Sequence, residues 1–128
     1  MSDNFNGLEN REFERASAKF ILYYSLYGPA GVFLMQKKES GIMTNLSEGG
    51  LAFKTEHELD PKTKLSMDFT LIGRDGEGRS RITPMKVRGE VIHNNKRSKK
   101  EYEIGVKITK IDDGHKEAII SFVKGKNG

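Results

Sequence analysis

The chain has 128 residues, the size of one domain, and is long enough to bury a core without covalent staples. It has no cysteine, which excludes disulfide scaffolds, cysteine-ligated zinc, iron–sulfur clusters and thiol catalysis. The formal net charge is +4: residues 1–48 carry 5 basic and 6 acidic residues, the remainder 17 and 12. This mildly basic balance favours an anionic partner without identifying one.

Residues 1–10 are polar and aperiodic and read as a flexible N-terminal tail. Two arginines, Arg11 and Arg15, then flank Phe13, just before the first strand. From Ala16 the pattern becomes that of a strand: Ala18, Phe20, Leu22, Tyr24 and Leu26 alternate with Lys19, Ile21, Tyr23 and Ser25. Gly28-Pro29 and Gly31 mark a turn, and Val32 to Met35 begins a second strand. The apolar stretch from Phe20 to Met35 is broken by Ser25, Gly28, Pro29 and Gly31. It is also shorter than the ~20 residues a spanning helix needs. No basic segment followed by an apolar core opens the chain, so a soluble cytoplasmic protein with no membrane span is expected.

Gly41 to Thr44 reads as extended, and Asn45 to Gly50 as a polar loop ending in two glycines. Leu51 to Lys54 is a short strand, Asp60-Pro61 a turn, and Leu65, Met67, Phe69 and Leu71 the inward face of another strand. Gly73 to Arg81 is a glycine-rich connection with Asp75-Gly76 at its tip. Met85, Val87, Gly89 and Val91 alternate next, and Asn94 to Glu101 reads as a charged hairpin loop. Tyr102, Ile104, Val106 and Ile108 form the last strand. The period then switches: Asp112-Asp113 offers an N-cap, Glu117 suits the helix dipole, and Ile119, Phe122 and Val123 have helical spacing up to Gly125. No internal repeat is visible. About six short strands and a C-terminal helix suggest a barrel or sandwich.

Two constellations could carry chemistry. Arg11-x-x-x-Arg15 places two guanidiniums where they can close over an anion, each able to grip phosphate or the O6/N7 edge of guanine with two parallel hydrogen bonds. Taken alone, the pair reads as solvated arginines beside Glu12 and Glu14, because such spacing is common by chance. Asn45-x-Ser47-x-x-Gly50 places an amide and a hydroxyl two apart, on one side of an extended segment, with Gly50 allowing close backbone approach. Taken alone, it reads as a turn held by Ser47.

Their order and separation resemble the PilZ domain family: Arg11-Glu12-Phe13-Glu14-Arg15 before the first strand, then Asn45-Leu46-Ser47-Glu48-Gly49-Gly50. The Ile104-Gly105-Val106-Lys107-Ile108 strand followed by a helix at Asp112-Asp113 resembles the end of such a domain. The resemblance covers one PilZ-like domain at residues 11–124, leaving a C-terminal tail at 125–128. It implies a mainly β fold: a six-stranded antiparallel β-barrel with a C-terminal α-helix. It also implies a non-catalytic receptor or adaptor for the bacterial second messenger cyclic di-GMP, relaying it to an unidentified downstream protein. By this resemblance Arg11 and Arg15 clamp phosphate and the guanine Hoogsteen edge, Asn45 and Ser47 contact a guanine edge, and Gly50 shapes the turn. Asn10 and Gly49 are weaker candidates, Asn10 being neutral and unable to add a third clamp charge. Asn45 stands where the family pattern often has Asp, and an amide offers guanine one acceptor where a carboxylate offers two.

No cofactor, metal or catalytic residue is expected. His57, His93 and His115 are far apart, and no nucleophile–base pair is evident. Gly73, Gly76 and Gly78 form no phosphate loop. Phe20, Tyr24, Phe53 and Phe69 fall at core positions. Lys96, Arg97, Lys99 and Lys100 make a basic tip, which leaves open a small barrel binding single-stranded nucleic acid, though nucleic acid is not the expected partner. A PilZ domain serving only protein–protein contacts is the other alternative, against which the intact Arg11, Arg15, Ser47 and Gly50 argue.

Overall fold

The computed structural model describes residues 15–17, 20–27, 38–74 and 77–127. Within these, seven strands precede one helix: β1 (Arg15–Ser17), β2 (Ile21–Tyr27), β3 (Glu39–Ser47), β4 (Gly50–Thr55), β5 (Lys64–Arg74), β6 (Ser80–Ser98), β7 (Glu101–Lys110) and α1 (Asp113–Asn127). All pairings are antiparallel. The order β3-β2-β5-β6-β7-β4 closes on itself through β3–β4, giving the six-stranded barrel that the resemblance implies. β1 is an addition to that ring. It continues the line of β2 along the same edge of β3: β2 pairs with Glu39–Ile42 and β1 with Asn45–Ser47. The link between them is pinned by Met43 N–H donating to the Phe20 carbonyl at 2.8 Å.

Period-2 alternation fills the interior. Leu22, Tyr24, Met43, Phe53, Leu65, Met67, Val87, Val91, Ile104 and Val106 are buried, and Tyr24 and Phe53 pack ring to ring with centroids 5.2 Å apart. The helix closes one end of the barrel with Ile119, Phe122 and Val123, and Phe122 meets Phe20 at 5.6 Å. Its start is capped as expected: Asp112 Oδ1 accepts the His115 N–H at 2.8 Å, the usual reach of an N-cap to the third helical residue.

Several boundaries differ from the sequence reading, and each has a local cause. The charged segment Asn94 to Glu101 is not a loop. Residues up to Ser98 continue β6, and only Lys99-Lys100 turn, because Arg97 pairs with Glu103 across the strands. The connection expected from Gly73 to Arg81 is shorter, since Gly73 pairs with Arg81 and Arg74 with Ser80. The helix passes Gly125 and ends at Asn127 rather than stopping at the glycine. The expected strand at Val32 to Met35, the turn at Gly28-Pro29, Asn10 and Arg11 lie outside the described residues.

The most consequential difference is at Asn45 to Gly50. Asn45, Leu46 and Ser47 belong to β3, and only Glu48-Gly49 bend. A bulge makes this possible. Met43 faces Phe53 but Asn45 faces Ala52, leaving Thr44 as an extra residue. Before the bulge Gly41 and Met43 point inward; after it Leu46 does, fully buried. The extra residue therefore turns Asn45 and Ser47 to the outer side, which unbroken alternation would have aimed into the core.

Candidate functional site

β1 lies directly along the Asn45–Ser47 segment. Arg15 is the register partner of Ser47, Ala16 of Leu46 and Ser17 of Asn45. The second arginine of the Arg11/Arg15 pair thus sits within a strand, not before one as the sequence suggested. Antiparallel pairing supplies the reason: Arg15 to Ser17 complete the edge of β3 that β2 leaves open beyond Ile42.

Ser47 is 5% exposed, and its hydroxyl does two things at once. It donates to the Gly50 carbonyl at 3.1 Å and accepts the Gly50 N–H at 3.2 Å. A hydroxyl has one proton and two lone pairs, so one lone pair remains. Toward any ligand, Ser47 can only accept. Asn45 is partly exposed on the same side. Gly50 is required by backbone crowding: a Cβ there would stand 2.4 Å from the Val106 carbonyl oxygen of β7. Gly49 ties the same turn to β7 by accepting the Ile108 N–H at 2.9 Å.

One participant escaped the sequence reading. Lys116 Nζ lies 3.5 Å from Glu48 Oε2, joining the first turn of α1 to the Ser47–Gly50 bend. This offsets the carboxylate that stands inside a site expected to hold an anion. The signal was available: Lys116 lies three and seven residues before Ile119 and Val123 and shares their side of the helix. Of the predicted residues, the structure brings together Arg15, Asn45, Ser47, Gly49 and Gly50.

The other candidates separate. His57 Nε2 contacts Glu39 at 3.0 Å and the half-buried His115 lies with Nδ1 3.0 Å from Asp112, two separate pairs. Among the described residues no three potential metal ligands cluster, and no helix is long and apolar enough to cross a membrane. Tyr24, Phe53 and Phe69 are buried core side chains, not a stacking platform. At the basic tip Arg97 is bonded to Glu103, which holds its guanidinium even further above its ordinary pKa, and Lys54 lies 3.8 Å from Glu101.

The PilZ domain profile matches residues 9–125, nearly the whole chain, and the chain belongs to the PilZ domain family. No curated protein matches it significantly. Among solved structures, it resembles the Bacillus subtilis inhibitor of motility MotI/DgrA (TM-score 0.68, 14% identity, 89% of this chain and 49% of that one). The chain therefore spans about half of that protein's length. It also resembles the PilZ domain of YcgR from Escherichia coli with c-di-GMP (TM-score 0.60, 10% identity, 91% of each chain). The PilZ domain of CeSA from a cellulose-synthesizing bacterium is similar as well (TM-score 0.54, 16% identity, 89% of this chain and 98% of that one).

Proposed function

We propose that this chain is a non-catalytic receptor for cyclic di-GMP that passes the signal to another protein. Family membership supports the ligand class. The carrying observation is the β1–β3 register, which sets Arg15 opposite Ser47 and Ser17 opposite Asn45. Arg15 and Asn45, 30 residues apart and each a member of one motif, thereby lie on neighbouring strands, which supports reading the two motifs as one site.

Each residue's role follows from its available atoms. Arg11 and Arg15 supply charge-assisted forks for phosphate and the guanine O6/N7 edge. Asn45 accepts from guanine N1–H or N2–H₂, and Ser47 adds its one remaining lone pair while holding the bend. Lys116 is positioned to keep Glu48 from repelling the ligand. The segment before Arg15 closes over the bound dianion and thereby changes the surface offered to a downstream protein. Arg15 moves little in this mechanism, being already registered on β3.

Calorimetry with cyclic di-GMP, cyclic di-AMP and a short single-stranded oligonucleotide tests this reading. Saturable binding of cyclic di-GMP alone is the expected result. Binding only of the oligonucleotide would replace the receptor with a nucleic-acid module, and no binding of any would leave a domain for protein contacts.

A further inference from the structure

The outer face of the β2–β5–β6 sheet carries a set of exposed apolar side chains. Ile21, Tyr23, Ile42, Ile72 and Ile82 are 60%, 48%, 55%, 54% and 67% exposed. Register places them side by side. Ile72 faces Ile82 across β5 and β6, Thr70 faces Pro84 in the next outward row, and Ile21 faces Ile42 across β2 and β3. β6 is paired by β7 only from Arg88 onward, and β5 by β2 only up to Phe69. Residues 70–74 and 80–87 therefore form a two-stranded ribbon beyond the ring. One side of the ribbon packs inward through Leu71 and Met85, with Gly73 against Phe122 of α1. The other side carries the isoleucines. Isolated exposed isoleucines are ordinary; a contiguous set on one sheet face is the pattern of a binding surface.

This face opens into a groove of about 760 Å³ lined by Ile21, Tyr23, Thr70, Ile72, Pro84 and Lys86 among others. Its border carries charged groups that are mostly paired. Asp68, the register partner of both Tyr23 and Lys86, is bonded to Lys38. Lys86 has no ion-pair partner among the described residues. His115, which also lines the groove, lies against Asp112, so among the described residues Lys86 is the lining cation left without a carboxylate partner. Pro84 removes a backbone donor from the open edge of β6, so recognition here proceeds through side chains rather than by strand addition.

We infer that this groove docks a partner-protein segment that presents aliphatic or aromatic side chains bracketed by carboxylates, with Lys86 as the complementary cation. The inference rests on the receptor reading for its biological sense. It names the surface through which the relay works: Phe20 and Ile21, at the groove, come three and four residues after Ser17 and, like β1, are held to β3, so a ligand acting on Arg15–Ser17 acts beside the groove's wall.

The test uses the full chain and a displayed library of random twelve-residue peptides. The library is selected on wild type and counter-selected on Ile72→Asp/Ile82→Asp, both exposed positions. Groove-dependent peptides should be enriched in Ile, Leu or Phe together with Asp or Glu, and Lys86→Glu should weaken them at least tenfold. Enrichment of Lys or Arg, or no peptides that distinguish wild type from the double variant, overturns the proposal. So does a wild-type dimer in light scattering that the double variant dissolves, since the groove would then hold a second copy. Calorimetry with cyclic di-GMP on the same double variant keeps the two readings apart. Retained nucleotide binding with lost peptide binding supports the docking surface, whereas absent nucleotide binding in wild type would strike the receptor reading alone.

Discussion

Arg15 and Ser47 are direct cross-strand partners, one opening β1 and the other closing β3. They are 32 positions apart in the chain, and nothing local joins them. What joins them is the bulge at Thr44 and the stretch of β3 edge that β2 leaves vacant.

From that relationship comes the first expectation. Arg15→Ala and Arg11→Ala should each weaken cyclic di-GMP binding by about 1–3 kcal/mol, the scale of one bidentate phosphate or guanine contact, or roughly 5- to 150-fold in affinity. Thermal stability of Arg15→Ala should stay close to wild type, because β1 pairs through its backbone. Titration calorimetry and a melting curve on each variant give the answer, and unchanged affinity in both would remove the clamp.

Base identity is the second. Adenine presents N6–H₂ where guanine presents O6, so an arginine fork would meet a donor. Cyclic di-AMP should bind at least about tenfold more weakly than cyclic di-GMP, since sites built on hydrogen bonds reject mispaired analogues strongly. Asn45→Asp should tighten cyclic di-GMP and leave cyclic di-AMP weak, because a carboxylate offers guanine N1–H and N2–H₂ two acceptors. Equal affinities for the two nucleotides, or weaker cyclic di-GMP binding by Asn45→Asp, would contradict the assigned roles.

How far the sequence reaches can be judged from these same residues. The strands around Leu65 to Leu71, Met85 to Val91 and Tyr102 to Ile108 were legible because strict alternation is a local signal, and Asp112 was legible as a cap. Their spacing puts Asn45 and Ser47 on one side of an extended segment, as in β3, yet the polarity of the segment reads as a loop. Its polar residues hide the end of a strand, in which Leu46 is the core side chain among residues 45–47. A bulge leaves no compositional mark, so neither Thr44 nor the Arg15–Ser47 pairing could be read beforehand. The 19-residue length of β6 was obscured likewise, since its charged end is held by the cross-strand Arg97–Glu103 pair rather than by burial.

Gly50 separates a structural role from a binding one. Gly50→Ala puts a methyl 2.4 Å from the Val106 carbonyl oxygen, a backbone atom near the end of the β4–β7 pairing. Relief requires the strands to part, and overpacking of this kind costs about 1–3 kcal/mol. Urea denaturation should show that loss. Gly125→Ala should show none: nothing lies within 4 Å, and alanine favours the helix by up to about 1 kcal/mol. If the two variants were equally stable, the crowding at β7 would not be what requires glycine at position 50.

Tyr24 gives the fold a dependence on alkaline pH. Burial raises its phenol above the ordinary value of 10.0; the Thr55 hydroxyl, at 2.9 Å, opposes the rise, and Glu39 adds to it. Below pH 10 the phenol is neutral in both folded and unfolded chains, and its contribution is intact. Above that, the unfolded chain releases the proton first, so stability falls as pH rises toward the folded value. Tyr24→Phe should lose about 1 kcal/mol at pH 7 with the Thr55 hydrogen bond, while Thr55 keeps its 3.3 Å donation to the Ser40 carbonyl. The variant lacks the alkaline penalty, so the gap between the two proteins should shrink above pH 10. The other three tyrosines are common to both and cancel in the difference. Urea unfolding of wild type and Tyr24→Phe from pH 7 to 11 reads this directly, and parallel curves across that range would show that Tyr24 ionises alike in the folded and unfolded chains.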